Sequence, residues 1–257
     1  MESEWGLRPI LFKLGNVEIT SYAFFMLLAI VSGFLVYLYQ LKKDNVKNSN
    51  SIYIAIFALT FGTIGAKLPI LFLHWDQVIR AESLDILFTG RSIVGGLIGG
   101  FLGTVLSKKL FHIKEKMGNQ LAIPVIVGMA IGRIGCLLTG CCFGTETSLP
   151  WGIDFGDGVL RHPTQIYEFI FDILLAVYLY YRKTKGVAPG YLFRLFLTYY
   201  MSFRYILEFI RVEEIVFLGL TVFQLLCIVT ILHVNRIYII KKIGGSWLWE
   251  NKKNYHS

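Results

Sequence analysis

Gly128-Met129-Ala130-Ile131-Gly132-Arg133-Ile134-Gly135-Cys136 sets one guanidinium inside an apolar helical run. A charge at the centre of a membrane helix costs about 2.5–3.5 kcal/mol on insertion scales, so such an arginine faces a partner or a water-filled cavity. Gly128, Gly132 and Gly135 strip side chains from one side of the helix, so a neighbouring helix or a lipid headgroup can come close. Two readings of Arg133 follow: a structural arginine paired with a glutamate on another helix, or a ligand for an anion.

The rest of the chain has membrane composition. Of its 257 residues, 55% are hydrophobic and 15% aromatic, the mean hydropathy is +0.59, and the apolar stretches are long enough to span a bilayer. Length and hydropathy predict an all-α integral membrane protein. A single polytopic domain fills residues 1–257, with seven spans at roughly 19–41, 51–73, 92–107, 120–139, 164–181, 188–210 and 216–240. Residues 1–18 are mixed and the first span is too long for a signal h-region, so no cleavable signal peptide is expected.

The basic residues orient these spans. Lys42, Lys43 and Lys47, then Lys108, Lys109, Lys114 and Lys116, then Arg182, Lys183 and Lys185 occupy the odd loops. Arg236, Lys241, Lys242, Lys252 and Lys253 close the chain on the same side. That side holds fifteen cations, against six (Arg8, Lys13, Arg80, Arg91, Arg161, Arg211) on the other. The positive-inside rule therefore places the N-terminus outside and the C-terminus in the cytoplasm. It also accounts for the net charge of +8 without a nucleic acid partner.

Within that frame three motifs stand out. Tyr200, Arg204, Glu208 and Arg211 recur at helical spacing on one face of the sixth span. Either they form a self-neutralising Arg–Glu–Arg ladder, or Glu208 orients arginines whose planar forks suit phosphate. Arg161-His162-Pro163-Thr164-Gln165-Ile166-Tyr167-Glu168 opens the fifth span. His162 at a helix start is favoured as a neutral ring, a cap or a base, and Glu168 is a natural partner for Arg133 or Arg204. Arg91-Ser92-Ile93-Val94-Gly95-Gly96-Leu97-Ile98-Gly99-Gly100 opens the third span, where the glycines serve close packing or expose N–H groups to a phosphate.

Cys136, Cys141 and Cys142 lack the spacing and partners of a zinc site, so no metal is expected. The Cys141–Cys142 pair is either free or bridged. Lys67, Gly95, Gly96, Arg133, His162, Glu168, Tyr200, Arg204 and Glu208 come from five spans and all fall in the outer half. Such a pocket suits an anionic phospholipid headgroup. The crowding of buried charge in one leaflet and the lack of an internal repeat argue against a channel or secondary transporter.

At these residues the chain resembles the bacterial phosphatidylglycerol–prolipoprotein diacylglyceryl transferase family. The likeness covers most of the chain. It is strongest in Gly132-Arg133-Ile134-Gly135 with Gly140 and Gly144, in Leu149-Pro150-Trp151-Gly152, in Arg161 to Glu168 and in Tyr200 to Arg211. The resemblance implies an enzyme of the bacterial plasma membrane, without a cofactor, whose active site faces the outer leaflet. It would move the diacylglyceryl group of phosphatidylglycerol onto the lipobox cysteine at the signal peptide of a preprolipoprotein, forming a thioether and releasing glycerol phosphate. Carried over by position, Arg133 and Arg204 hold the phosphate, Tyr200 and Glu208 support them, Gly144 is the motif glycine, and His162 lines the site. Tyr22 looks similar to a family tyrosine.

Three positions depart from the family pattern: Val94 replaces a histidine linked to thiol activation, Cys136 an asparagine, and Lys67 an arginine. These departures keep two alternatives open, a relative with another acceptor and a non-catalytic phospholipid-binding protein.

Overall fold

The computed structural model describes residues 7–15, 17–46, 51–73, 75, 92–113 and 117–243. Seven long helices account for most of them: α1 (Ser21–Lys43), α2 (Ser51–Leu73), α3 (Ile93–Leu110), α4 (Gly118–Thr139), α5 (Thr164–Thr184), α6 (Tyr191–Leu207) and α7 (Val222–Ile243). The first four are long and apolar enough to cross a membrane. Many of their large apolar side chains point away from the protein, among them Leu27, Leu35, Leu68, Phe72 and Leu102, each more than half exposed. Outward-facing leucine in such numbers is what a lipid-facing surface presents, and the protein is a helical integral membrane protein. Of the basic residues used above for orientation, Lys47, Arg80, Arg91, Lys114, Lys116, Lys252 and Lys253 lie outside the described residues.

α4 is the central helix, packed against α1, α5 and α6, while α2 pairs with α3, and α6 with α7. The glycine side of α4 is filled by α1. A Cβ at Gly128 would stand 3.2 Å from the Ala29 carbonyl, and one at Gly135 would stand 2.8 Å from Phe25 Cβ. The α2–α3 seam is closer still. A Cβ on Gly65 would stand 2.7 Å from Gly99 Cα, and one on Gly95 would overlap the Gly65 carbonyl. This is close helix packing of the small-residue kind.

The helices depart from the expected span limits in several places: the sixth, expected over 188–210, is helical over Tyr191–Leu207, and two other span starts fold into hairpins. Residues 19–20 belong to a hairpin, β1 (Ile10–Leu14) with β2 (Val17–Thr20), and Thr20 Oγ1 caps α1 at Ala23 N, 3.2 Å away. The seventh span was expected from 216, but Ile215–Phe217 and Leu220–Thr221 form another hairpin and α7 starts at Val222. Hydropathy cannot separate an apolar hairpin from a helix, whereas the local signal can. Thr221 Oγ1 accepts from Gln224 N at 3.2 Å and Gln224 Oε1 accepts from Thr221 N at 3.0 Å, a reciprocal capping box. Between α4 and α5 lies a third hairpin, Ile153–Asp154 with Leu160–Arg161.

Candidate functional site

Arg133 projects from α4 into the interior, where it is 4% exposed and donates to Glu168 Oε2 on α5. Glu168 is fully buried and also accepts from Tyr200 Oη at 3.2 Å, and its other oxygen lies 3.9 Å from Arg211 Nη1. One turn beyond Tyr200 on α6, Arg204 Nη1 lies 2.7 Å from Glu208 Oε2. The helix tightens there into a 3-10 turn, Glu208–Ile210, and Arg211 leaves it in extended conformation. Arg211 still faces the same carboxylate, with its Nε 3.9 Å from Glu208 Oε2, and it reaches Glu213 at 3.1 Å. Glu208 is steadied by Thr221 Oγ1, which donates to Oε1 at 3.0 Å.

The Arg–Glu pairs of the structural reading form, and the same guanidinium groups line a cleft. That cleft of about 50 Å³ is bounded by Ser92, Arg133, Cys142, Arg204, Arg211 and Glu213, with Ile70, Ile93 and Phe223 as its apolar wall. Buried ion pairs are poor sources of stability, since desolvation offsets their attraction. The cleft brings together three guanidinium groups, whose planar forks suit an anion.

The other predicted residues fall around this centre in different ways. Tyr200 supports Glu168 and is not on the cleft wall. Gly95 and Gly96 sit in the α2–α3 seam, and Gly95 N is capped by Ser92 Oγ at 3.1 Å, so close packing is their role. Ser92 and Ile93, at the same helix start, are the residues that reach the cleft. Lys67 is half-buried on α2, one turn before the cleft residue Ile70. Tyr22 Cα packs on the Gly135 side of α4. Val94 is 1% exposed in the apolar core. Cys136 is buried, and its carbonyl accepts from Cys141 N at 3.1 Å.

His162 is not among the residues that line the cleft. Its Nδ1 lies 3.2 Å from Tyr167 Oη, which also accepts from Trp151 Nε1 at 2.9 Å. Its backbone joins a junction of three segments. Gly144 N donates to His162 O, His162 N to Thr145 O, and Thr145 N to Ile210 O, at 2.8, 3.0 and 2.8 Å. Gly144 lies at the centre of this junction. A Cβ there would overlap the Ile210 carbonyl and stand 2.8 Å from His162 Cβ and 2.9 Å from Thr164 Cγ2.

Gly144→Ala therefore has nowhere to put its methyl group without pushing the Arg211 segment outward. Overpacking of this kind costs about 1–3 kcal/mol. The expected result is unchanged helix content by circular dichroism and a lower melting temperature.

Arg211, already named with Arg204 and Glu208, lines the cleft, and the sequence reading did not single out three further residues: Thr221, Glu213 and Asp172. Asp172 is fully buried one turn below Glu168, and neither carboxyl oxygen has a hydrogen-bond partner among the described residues. Thr221 was legible from Thr221-Val222-Phe223-Gln224, the capping-box pattern. Outside the spans, the Cys142 thiol is drawn well below the usual thiol range by hydrogen bonds with Cys136 and Cys141, then by Arg211 and Arg133.

Comparison with known proteins accords with this geometry. The profile of the prolipoprotein diacylglyceryl transferase family matches residues 9–240. A phosphatidylglycerol–prolipoprotein diacylglyceryl transferase of Clostridium tetani is 33% identical over 215 residues, covering 80% of this chain and 86% of that protein. Its counterpart in Clostridioides difficile is 30% identical over 91% of this chain and 96% of that protein. A Clostridium perfringens protein, phosphatidylglycerol–prolipoprotein diacylglyceryl transferase 2, is 30% identical over 93% and 97%. With the match running from the first hairpin into the last helix, the chain belongs to the prolipoprotein diacylglyceryl transferase family.

Proposed function

We propose that this protein transfers the diacylglyceryl group of phosphatidylglycerol to the cysteine thiol of a prolipoprotein. The observation that carries the reading is the convergence of Arg133, Arg204 and Arg211 on one cleft in a chain of this family. In the reaction a sulfur–carbon bond forms on the glyceryl group, the carbon–oxygen bond to phosphate breaks, and glycerol phosphate departs with the electron pair. Charge grows on the phosphate oxygens in the transition state, and guanidinium groups already held by Glu168 and Glu208 stabilise it there without reorganising.

The acceptor thiol has an unperturbed pKa near ~8.5, so part of it is thiolate at neutral pH. Its proton passes to His162, the base we assign because Val94 occupies the position of the family histidine. Glu168 and Tyr200 position Arg133, Glu208 positions Arg204, and Lys67, Tyr22, Gly144 and Cys136 shape the surroundings. All seven long helices cross the membrane in one polytopic domain, with the N-terminus outside and the C-terminus in the cytoplasm, as the basic loops require. The cleft then opens toward the outer leaflet of the bacterial plasma membrane, where translocated prolipoproteins emerge.

Complementation of a bacterium depleted of its own diacylglyceryl transferase tests this, with lipoprotein lipidation as the readout. Wild type is expected to restore lipidation, Arg133→Ala to abolish it, and His162→Ala to reduce it by about 10²–10⁴-fold, the usual contribution of a positioned base. A membrane-inserted wild type that fails to rescue would point to another acceptor or to lipid binding alone.

A further inference from the structure

The cysteines beside the cleft form a cluster whose thiols take no chemical step in the proposed transfer. Cys136, Cys141 and Cys142 have all three sulfur atoms within 4.8 Å of one another, and all three are free thiols. Local backbone geometry puts them there. α4 ends in a Schellman motif, with Gly140 at φ +71, Cys141 N bonded to Cys136 O and Gly140 N bonded to Leu137 O. That motif brings the side chains of its first and last residues, Cys136 and Cys141, into contact. Cys142 follows at φ +67, a conformation a cysteine rarely adopts. Its carbonyl is clamped by Thr164 Oγ1 at 2.5 Å and Arg211 Nη1 at 3.1 Å, and the Cys141 carbonyl by Gln165 Nε2 at 2.6 Å. Three side-chain and two backbone hydrogen bonds thus hold a strained loop that brings its third thiol close to the other two.

We propose that this triad is a three-thiolate site for a soft monovalent cation of the Cu(I) type, built into the wall of the arginine cleft. An ion at the centre of such a triangle lies at most about 2.8 Å from each sulfur, against ~2.3 Å for a metal–thiolate bond of the zinc type, so modest side-chain rotation closes the shell. Thiolate ligands select soft ions. Structural Zn(II) requires a fourth ligand, and no His, Asp or Glu joins the cluster among the described residues. Three thiolates around a monovalent ion carry two net negative charges, which Arg133 and Arg211 face across the cleft that Cys142 also lines. Binding releases the thiol protons and ties the Cys142 loop and those two arginines to the metal. The loaded cleft is then closed to a phosphate. This consequence rests on the proposed transfer reaction, whereas metal binding itself does not.

The test is anaerobic titration of the reduced full-length protein in detergent with Cu(I), against a colorimetric Cu(I) chelator, followed by X-ray absorption at the copper edge. One ion per chain with a three-sulfur shell is expected. Binding should weaken at least tenfold in each of Cys136→Ser, Cys141→Ser and Cys142→Ser, and stay unchanged in Cys227→Ser, whose thiol lies against Met201 Sδ. The wild-type spectrum decides the matter even where a variant folds poorly. No binding, a shell of two sulfurs, or tighter binding of Zn(II) would overturn the site. Transfer assayed with and without Cu(I) separates the two claims. Binding without inhibition removes the closing of the cleft, and no transfer in metal-free protein counts against the proposed reaction instead.

Discussion

Glu168→Ala is expected to lower stability by about 3–5 kcal/mol, the range for leaving a buried charge without its partner, and to abolish transfer. Glu168 is the shared acceptor of the site. One oxygen takes Arg133 and Tyr200, and the other faces Arg211. Removing the carboxylate leaves two guanidinium groups directed at each other across a space with almost no solvent. Glu168→Gln retains an acceptor for Tyr200 and restores only part of the loss, because the amide carries no charge. Thermal unfolding in detergent for wild type, Glu168→Ala and Glu168→Gln checks this order. Near-equal melting of Glu168→Ala and wild type would show that the arginines are compensated elsewhere.

Arg204→Ala is expected to separate function from stability. Its partner Glu208 is not stranded by the change, since Thr221 Oγ1 still donates to it and Arg211 Nε remains 3.9 Å away. The stability loss should therefore be clearly smaller than for Glu168→Ala. Activity should fall by ~10²–10³-fold in kcat, the cost of removing one preorganised donor from a developing oxyanion. Turnover of phosphatidylglycerol and a prolipoprotein peptide in proteoliposomes measures it. A loss below about tenfold would remove Arg204 from the charge-stabilising set. Arg204→Lys discriminates further, because an ammonium keeps the charge and loses the planar fork.

The two variants make one physical point. Arg133 and Arg204 are both buried beside a glutamate that also meets Arg211 and a hydroxyl, but the first pair joins two helices whereas the second lies within one. Sequence spacing could not rank them. It named Glu168 as partner for Arg133 or Arg204, and the choice depends on how α4, α5 and α6 are rotated against one another. A similar limit applied to Gly95 and Gly96. Both packing and phosphate binding were compatible with the glycine run, and the approach of α2 decided for packing. His162 was legible as a helix-start residue, but its bond to Tyr167 depends on a hairpin that no helical periodicity announces.

What the sequence by itself determined is the set of segments that form helices and the residues that carry charge within them. Both are local properties: apolar runs of spanning length, cations confined to loops, and arginines whose burial in such runs is costly unless they are partnered. The i, i+4 relation of Arg204 to Glu208 belongs to the same class, because it lies within one helix turn. The tertiary structure alone decided which charges meet across helices, that Arg211 turns back to the same carboxylates after the helix has ended, and that Cys142 comes to line the cleft beside Arg133 and Arg204. These relations depend on interhelical rotation and on loop backbone angles such as φ +67 at Cys142. They are set by the packing of the whole bundle, and no window of residues encodes them.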